Sequence, residues 1–219
     1  MLLCLFLSAW QFNRLSEKRL DNQNIISKTS LERKEVEIVL AEGSDLEYLP
    51  VKAKLEIVED DLIRIVNRSN SGVAGEHVAA LARMESGNYI LLNRGFVPLN
   101  SDPFTSIEGQ EVIVEGWLRN SVEKELFGVI DNLDESQAPR FDIDAISKRL
   151  TSDIDLADYW LQIETIDGIE SNVLPDPIDL PELDEGSHFS YAIQWIIFAL
   201  LTMVFYYLIL RRKAKQANN

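Results

Sequence analysis

Two patterns of apolar residues divide this chain. From Ile193 to Leu210 the side chains are almost all apolar, and at 1.5 Å per residue a helix of that length measures about 27 Å, close to the hydrocarbon thickness of a bilayer. The middle of the chain instead alternates. Glu35 to Leu40, Val51 to Ile57 and Glu111 to Leu118 place apolar residues largely at every second position, the period of a half-buried strand. Leu62 to Val66, His77 to Met84, Tyr89 to Leu92 and Tyr159 to Ile166 read as further strands, punctuated by Gly72, Gly75, Gly87 and Gly95. Ser86-Gly87-Asn88 has the composition of a hairpin turn. Such alternation predicts antiparallel strands with one wet face, closed into a small barrel or sandwich.

Helices are few outside the apolar spans. Ser16 to Ser27 continues an N-terminal helix, and Asp142 to Leu150 is short, with Asp142 or Asp144 as its cap. Asn172 to Glu185 holds Pro175, Pro177 and Pro181 in an acidic tract without periodicity, which reads as an extended tether. Met1 to Phe12 is apolar apart from Ser8 and Gln11, and its reach of about 18 Å is short for a span. A signal peptide, a core helix and a first transmembrane helix whose beginning lies upstream all compete for it. The third is preferred, because Trp10 followed by Arg14, Lys18 and Arg19 has the pattern of a helix leaving the bilayer.

Charge orients the C-terminal span. Asp184 and Glu185 precede it, and Arg211, Arg212, Lys213 and Lys215 follow it, so the C-terminus is expected in the cytoplasm. The expected organisation is a membrane protein of α+β class, with two transmembrane helices flanking a mainly antiparallel β domain outside the cytoplasm. Its boundaries are 1–15 for the first transmembrane helix, 16–187 for the β-rich domain with a Pro-rich tether at 172–187, 188–210 for the second helix and 211–219 for a basic tail. The net charge is −15, and seven of the 21 basic residues lie in the two membrane flanks. The domain between is therefore strongly acidic, which argues against nucleic acid or anionic lipid as its partner and favours a basic protein patch. With 46% hydrophobic and 26% charged residues the chain is globular in composition, and a single cysteine, Cys4, excludes an internal disulfide.

Catalytic chemistry is hard to find. His77 and His188 lie too far apart for a local metal motif, and neither a nucleophile elbow nor a phosphate-binding glycine loop is present. One constellation stands out at the start of the C-terminal helix. His188, Tyr191 and Trp195 fall at i, i+3 and i+7, with the small Ala192 and Ala199 on the same side. An imidazole above an aromatic groove suits an axial ligand to a flat apolar macrocycle such as haem. An ordinary interfacial belt of Tyr, Trp and His is the other reading. Ser187, Ser190 and Gln194 make a second, polar face that is expected to pack on a neighbouring helix.

Five short segments carry a resemblance. Trp10-Gln11-Phe12-Asn13-Arg14-Leu15-Ser16-Glu17-Lys18 resembles the exit of the first helix in the Surfeit locus protein 1 family of cytochrome oxidase assembly factors. Asn67-Arg68 followed by Gly72, Gly75, Glu76 and His77 is similar to that family's Asn-Arg-x(3)-Gly-x(2)-Gly-x-His segment. Leu91-Leu92-Asn93-Arg94-Gly95-Phe96-Val97-Pro98 resembles its Val-Asn-Arg-Gly-Trp-Val-Pro signature, with Phe96 at the usual Trp. Tyr159-Trp160-Leu161-Gln162 and His188-Phe189-Ser190-Tyr191-Ala192-Ile193-Gln194-Trp195 complete the series in order.

The resemblance implies a multi-pass protein of the cell inner membrane, its main domain periplasmic. Its implied role is to build a haem-copper cytochrome c oxidase without catalysis of its own, binding or delivering haem a to the catalytic subunit. It makes His188 the expected axial ligand of the haem iron, with Tyr191 and Trp195 lining the macrocycle. Subunit I and haem a synthesis or other assembly proteins are the implied partners. The alternative is a membrane scaffold that holds an oxidase subunit or another assembly factor and never touches haem. Arg14 and Lys18, a helical turn apart, are the nearest cations for haem propionates, or else contact lipid phosphate. Arg68 and Arg94 bind propionate, a partner or a domain carboxylate, and for His77 a structural hydrogen bond is preferred over ligation.

Overall fold

The computed structural model describes residues 1–101, 104–122, 136–150, 154–167 and 174–217. Two compact units make up the chain, one from Met1–Ser27 and Pro181–Asn219, the other from Lys28–Leu180. The first is built of two helices, α1 (Leu2–Thr29) and α4 (His188–Ala217). The second holds β1 (Lys34–Glu35), α2 (Val36–Glu42), β2 (Pro50–Asn70), β3 (Val73–Met84), β4 (Tyr89–Pro98), β5 (Glu111–Asn120), β6 (Gln137–Ala138), α3 (Ile143–Ser147) and β7 (Leu156–Ile166).

Five strands close a barrel. Pairing runs β2-β3-β4-β7-β5 and returns from β5 to β2, with every contact antiparallel except β4–β7. Closure removes the sheet edges that a small open sheet would expose. Between the barrel and sandwich alternatives, the long β2 decides. Residues Pro50–Glu56 pair with β5 while Leu55–Asn70 runs against β3, so one strand serves two neighbours around the ring. The two strands expected at Val51–Ile57 and Leu62–Val66 are therefore one. Glu59-Asp60-Asp61 interrupts the apolar alternation, but the register shifts around Glu59 mark it as a bulged bend and not a strand end.

The alternation at Glu35–Leu40 misleads in a different way. Only Lys34–Glu35 is strand, and Val36–Glu42 is a helix closed by Gly43 at φ +84. Val36, Val39 and Leu40 are also spaced i, i+3, i+4; Val36 and Val39 are buried in the core while Ile38 is 57% exposed. Three of the four apolar residues fit either period, and burial chooses the helical one.

Interior positions alternate along each strand. Val51, Ala53, Leu55 and Ile57 of β2 meet Ala80, Ala82 and Met84 of β3, Ile90 and Leu92 of β4, Val112 and Val114 of β5, and Leu161 and Ile163 of β7. On the outer face a second cluster forms around α3. There Ile143 and Ile146 pack with Ile63, Ile65, Leu81, Leu91 and Phe141, whose ring stacks on Trp160 at 4.3 Å. Asp142 is the cap of α3, its carboxylate accepting from the Ala145 N–H at 3.0 Å. The β3–β4 hairpin turns through Glu85–Asn88, with Gly87 at φ +93.

The proline-rich segment is not a free tether over its described part. Asp176 exchanges two backbone hydrogen bonds with Phe96 of β4, at 2.7 and 2.9 Å, and the Gln162 side chain of β7 donates to the carbonyls of Ile178 and Asp179. Residues 174–180 are thus a strap on the barrel. The first two positions of the expected tether, 172 and 173, lie outside the described residues.

Among the described residues α4, over His188–Gln216, is the one helix long and apolar enough to cross a membrane. A second span over residues 1–15 is not confirmed. The apolar run of α1 gives way to Asn13, Arg14, Glu17, Lys18 and Arg19 within the same continuous helix.

Candidate functional site

The helix pair carries the first cluster. On α1 the buried residues are Ser8, Leu15 and Asn22, spaced by seven, with Cys4, Gln11, Lys18 and Ile25 partly buried between them. On α4 the matching row is His188, Ala192, Trp195 and Ala199. Alternating steps of three and four are those of a coiled-coil seam. Across it the Ser8 hydroxyl donates to the Ala192 carbonyl at 3.1 Å, and His188 Nδ1 lies 2.8 Å from Gln11 Oε1. Just before α4, Arg19 grips Glu185 with two hydrogen bonds of 2.8 Å, and Asn22 donates to the Asp184 carbonyl at 2.9 Å. The paired Arg19 guanidinium holds the Glu185 carboxyl below the usual carboxylate range.

These contacts revise the expected groove. Ala192 and Ala199 are buried, so the small-residue row of α4 packs against its partner helix instead of leaving room for a ligand. The polar face behaves in the opposite way. Ser187, Ser190 and Gln194 are exposed, because close backbone approach needs small side chains more than it needs hydroxyls. Tyr191 is 47% exposed and lies off the seam, whereas Trp195 sits on it beside Phe198.

The His188–Gln11 bond has a chemical consequence. An amide oxygen only accepts, so the bond takes a proton from Nδ1, and the neutral ring then has its lone pair on Nε2, the arrangement of a metal-ready imidazole. Gln11 was legible as one of two polar interruptions in the first apolar run, and Ser8 was the other. Both find partners on α4. Nearby, Arg14 is exposed, pairs with Glu17 at 2.9 Å and lies over the Trp10 ring at 5.9 Å. Lys18 makes no ion pair among the described residues.

In the barrel unit the two arginines part ways. Arg94 is buried and its Nη1 donates to both oxygens of Asp60, which also accepts the Ile107 N–H at 2.9 Å. It lies inside β4 and over the Phe104 ring, and its ion-pair partner is a domain carboxylate. Burial pulls the Arg94 pKa down and Asp60 opposes the shift. Arg94 is the bulged residue of its strand: Val78 pairs with Gly95 and Ala79 with Asn93, leaving Arg94 to turn aside. Arg68 lies within β2, donates Nη2 to the Pro139 carbonyl at 2.7 Å and is only partly buried.

His77 takes the structural role. Its Nδ1 lies 3.3 Å from the Asn93 amide nitrogen, and its ring meets Phe96 edge-on at 6.3 Å. Burial, and then the Arg68 charge, push its pKa from 6.5 down to about 4. The unfolded chain therefore binds one more proton than the folded chain between those values. Stability from this group is complete above pH 6.5 and is lost as pH falls toward 4, by about 2–3 kcal/mol in all. Urea unfolding of the detergent-solubilised protein at a series of pH values measures it, and His77→Gln should flatten that limb.

The sequence profile of the SURF1 family matches residues 1–200. The chain belongs to the SURF1 family. That match covers both the helix pair up to the middle of α4 and the entire barrel unit. The SURF1 family is linked to cytochrome oxidase assembly, and its members are assembly factors rather than enzymes. Membrane association follows from the family together with α4. No curated protein matches the chain.

Proposed function

We propose that this SURF1-family chain holds haem a while a haem-copper cytochrome c oxidase is assembled and passes it to subunit I, with His188 as the axial ligand. The observation that carries this reading is the His188–Gln11 bond. It fixes the ring orientation and, in the neutral ring, puts the lone pair on Nε2 at the mouth of a membrane helix. The donor suits haem iron. The bound haem would supply the redox-active iron centre destined for the oxidase, and the protein's part is to bind, orient and release it. Tyr191 offers an exposed aromatic face, while Arg14 and Lys18 are the cations for the propionates. Haem a synthesis or other assembly proteins are the donors in this reading. The same reading places residues 16–187 in the periplasm and 211–219 in the cytoplasm, so reporters fused after Lys215 and within the strap should report opposite compartments.

A scaffold that holds an oxidase subunit and binds no haem is the second reading. It is favoured by the burial of Ala192 and Ala199, which closes the groove on that side of α4. One experiment separates the two. The full chain is co-expressed with the enzymes of haem a synthesis, purified in detergent, and its Soret absorbance is measured. His188→Ala should lose most of the bound haem, and Gln11→Leu should weaken binding by about 10-fold or more through the lost support of the ligand. His77→Ala should leave the spectrum unchanged. A full haem complement in His188→Ala would reject the ligand, and absence of haem from the wild type would favour the scaffold.

A further inference from the structure

The barrel unit, Lys28–Leu180, carries 31 acidic residues against 14 basic ones, a field that attracts cationic partners. Charge alone gives no docking place. An apolar groove at the start of the unit does. It has a volume of about 250 Å³ and is lined by residues from 31–34, from α2 and from the start of β2, its apolar part being Leu31, Val39, Leu49 and Pro50. Small-molecule sites are larger, about 300–1,000 Å³, so the groove suits one or two side chains of a protein better than a free ligand.

Two large aliphatic side chains stand exposed at this place. Leu31 is 55% exposed and Ile38 57%. Ile38 precedes Glu42, which also lines the groove, by one turn of α2, so the two share a helix face. Val36 and Val39 of the same helix are buried in the core; Ile38 is the large apolar residue that folding leaves uncovered.

The carboxylates here are not equivalent. Both basic residues of Glu32-Arg33-Lys34-Glu35 are engaged, Arg33 with Glu115 and Glu164, and Lys34 with Glu42 at 2.9 Å. Glu32 and Glu35 are exposed and form no ion pair among the described residues. Glu35 is the N-cap residue of α2, yet its side chain makes no capping bond. Two carboxylates are therefore left open beside an apolar groove.

We propose that this groove docks a basic amphipathic helix of a partner protein. The helix places an apolar side chain against Leu31 and Val39, covers Ile38, and sets Lys or Arg residues opposite Glu32 and Glu35. Apolar burial supplies the affinity, and the charges at the rim set encounter and specificity. At two residues β1 is too short to recruit a partner as an added strand, which leaves helix-in-groove packing as the mode. Neither His188 nor the helix pair takes part, so this reading and the haem reading stand or fall separately.

The test places the full ¹⁵N-labelled chain in phosphatidylcholine nanodiscs and titrates an amidated peptide of about 15 residues, built of leucine, alanine and lysine with leucines at i, i+3 and i+7. Empty nanodiscs give the blank. The peptide should bind saturably, shift the Leu31 and Ile38 amide resonances, and lose affinity as salt rises. Leu31→Ser and Ile38→Ser, both at exposed positions, should each weaken it by about 10-fold. Glu32→Gln/Glu35→Gln should weaken it and flatten the salt dependence. Val73→Ser, at a 50% exposed position of β3, should change nothing. Binding no tighter than to empty nanodiscs, equal affinity for a peptide with glutamate in place of lysine, or an equal loss in Val73→Ser would overturn the proposal. Self-association of the chain that Ile38→Ser abolishes would give the groove to a second copy, and phosphatidylglycerol moving the same amides without peptide would give it to lipid; either result also overturns it.

Discussion

Arg94→Ala should lower the stability of the barrel by about 3–5 kcal/mol, the cost of leaving one partner of a buried ion pair without the other. Arg94 and Asp60 have side chains only 3% exposed. With the guanidinium gone, Asp60 would keep a single donor among the described residues, the Ile107 N–H, and a carboxylate in that position must either stay charged and poorly solvated or take up a proton. Phe104 would also lose one of the two cations over its ring, Arg64 remaining. The double variant Asp60→Leu/Arg94→Met should recover much of the loss, because well-packed apolar residues of similar volume often replace a buried pair at little cost. Thermal and urea unfolding of the full chain in detergent measure all three proteins. A loss below about 1 kcal/mol for Arg94→Ala would mean that water reaches Asp60.

Gly95→Ala should detach the strap. Gly95 sits at φ +139, where side chains are strained, and a Cβ there would overlap the Asp176 carbonyl oxygen and lie 2.6 Å from its carbon. Both obstacles are backbone, so no rotamer change relieves them. Strain and overpacking together put the cost at about 2–5 kcal/mol, unless the strap moves away instead. Gly72→Ala is the matched control, since Gly72 also has a positive φ, +81, but nothing lies within 4 Å of its Cβ position. Hydrogen exchange at Phe96 and Asp176, which bond each other through the backbone, should accelerate strongly in Gly95→Ala and stay slow in Gly72→Ala. Equal protection in the two variants would show that the strap is not held by close approach at Gly95.

These two positions explain what the Asn93-Arg94-Gly95-Phe96 signature does. Asn93 bonds His77 and, through its side-chain oxygen, the Gly95 N–H; Arg94 turns aside to Asp60; Gly95 admits the strap; Phe96 covers Gly75. Gln162 of the Tyr-Trp-Leu-Gln segment secures the strap two residues farther on and accepts from Arg119 at 2.6 Å. The contacts of these segments join a bulged strand, a barrel and a returning chain.

Some of this was determined locally, and some was not. The long apolar helix α4, the strands expected at 77–84, 89–92, 111–118 and 159–166, and a cap at Asp142 or Asp144 were legible because each rests on a periodic pattern or a capping residue within one short window. The continuity of β2 through Glu59-Asp60-Asp61 was not, since an inward-facing aspartate is tolerable only with Arg94, 34 residues away, to pair it. The helix at Val36–Glu42 was hidden for a related reason: its apolar residues satisfy two periods, and only packing on the core selects one. At the helix mouth, His188 could be singled out as an ionisable group entering an apolar span, and Ser8 and Gln11 as polar residues within another. That Gln11 meets His188, and that Ala192 and Ala199 face the partner helix while Tyr191 does not, depends on the register of two segments about 180 residues apart. Local patterns set what each segment can form. Pairing between distant segments decides which buried charges are matched, which glycines are crowded and which side chains remain available to a ligand.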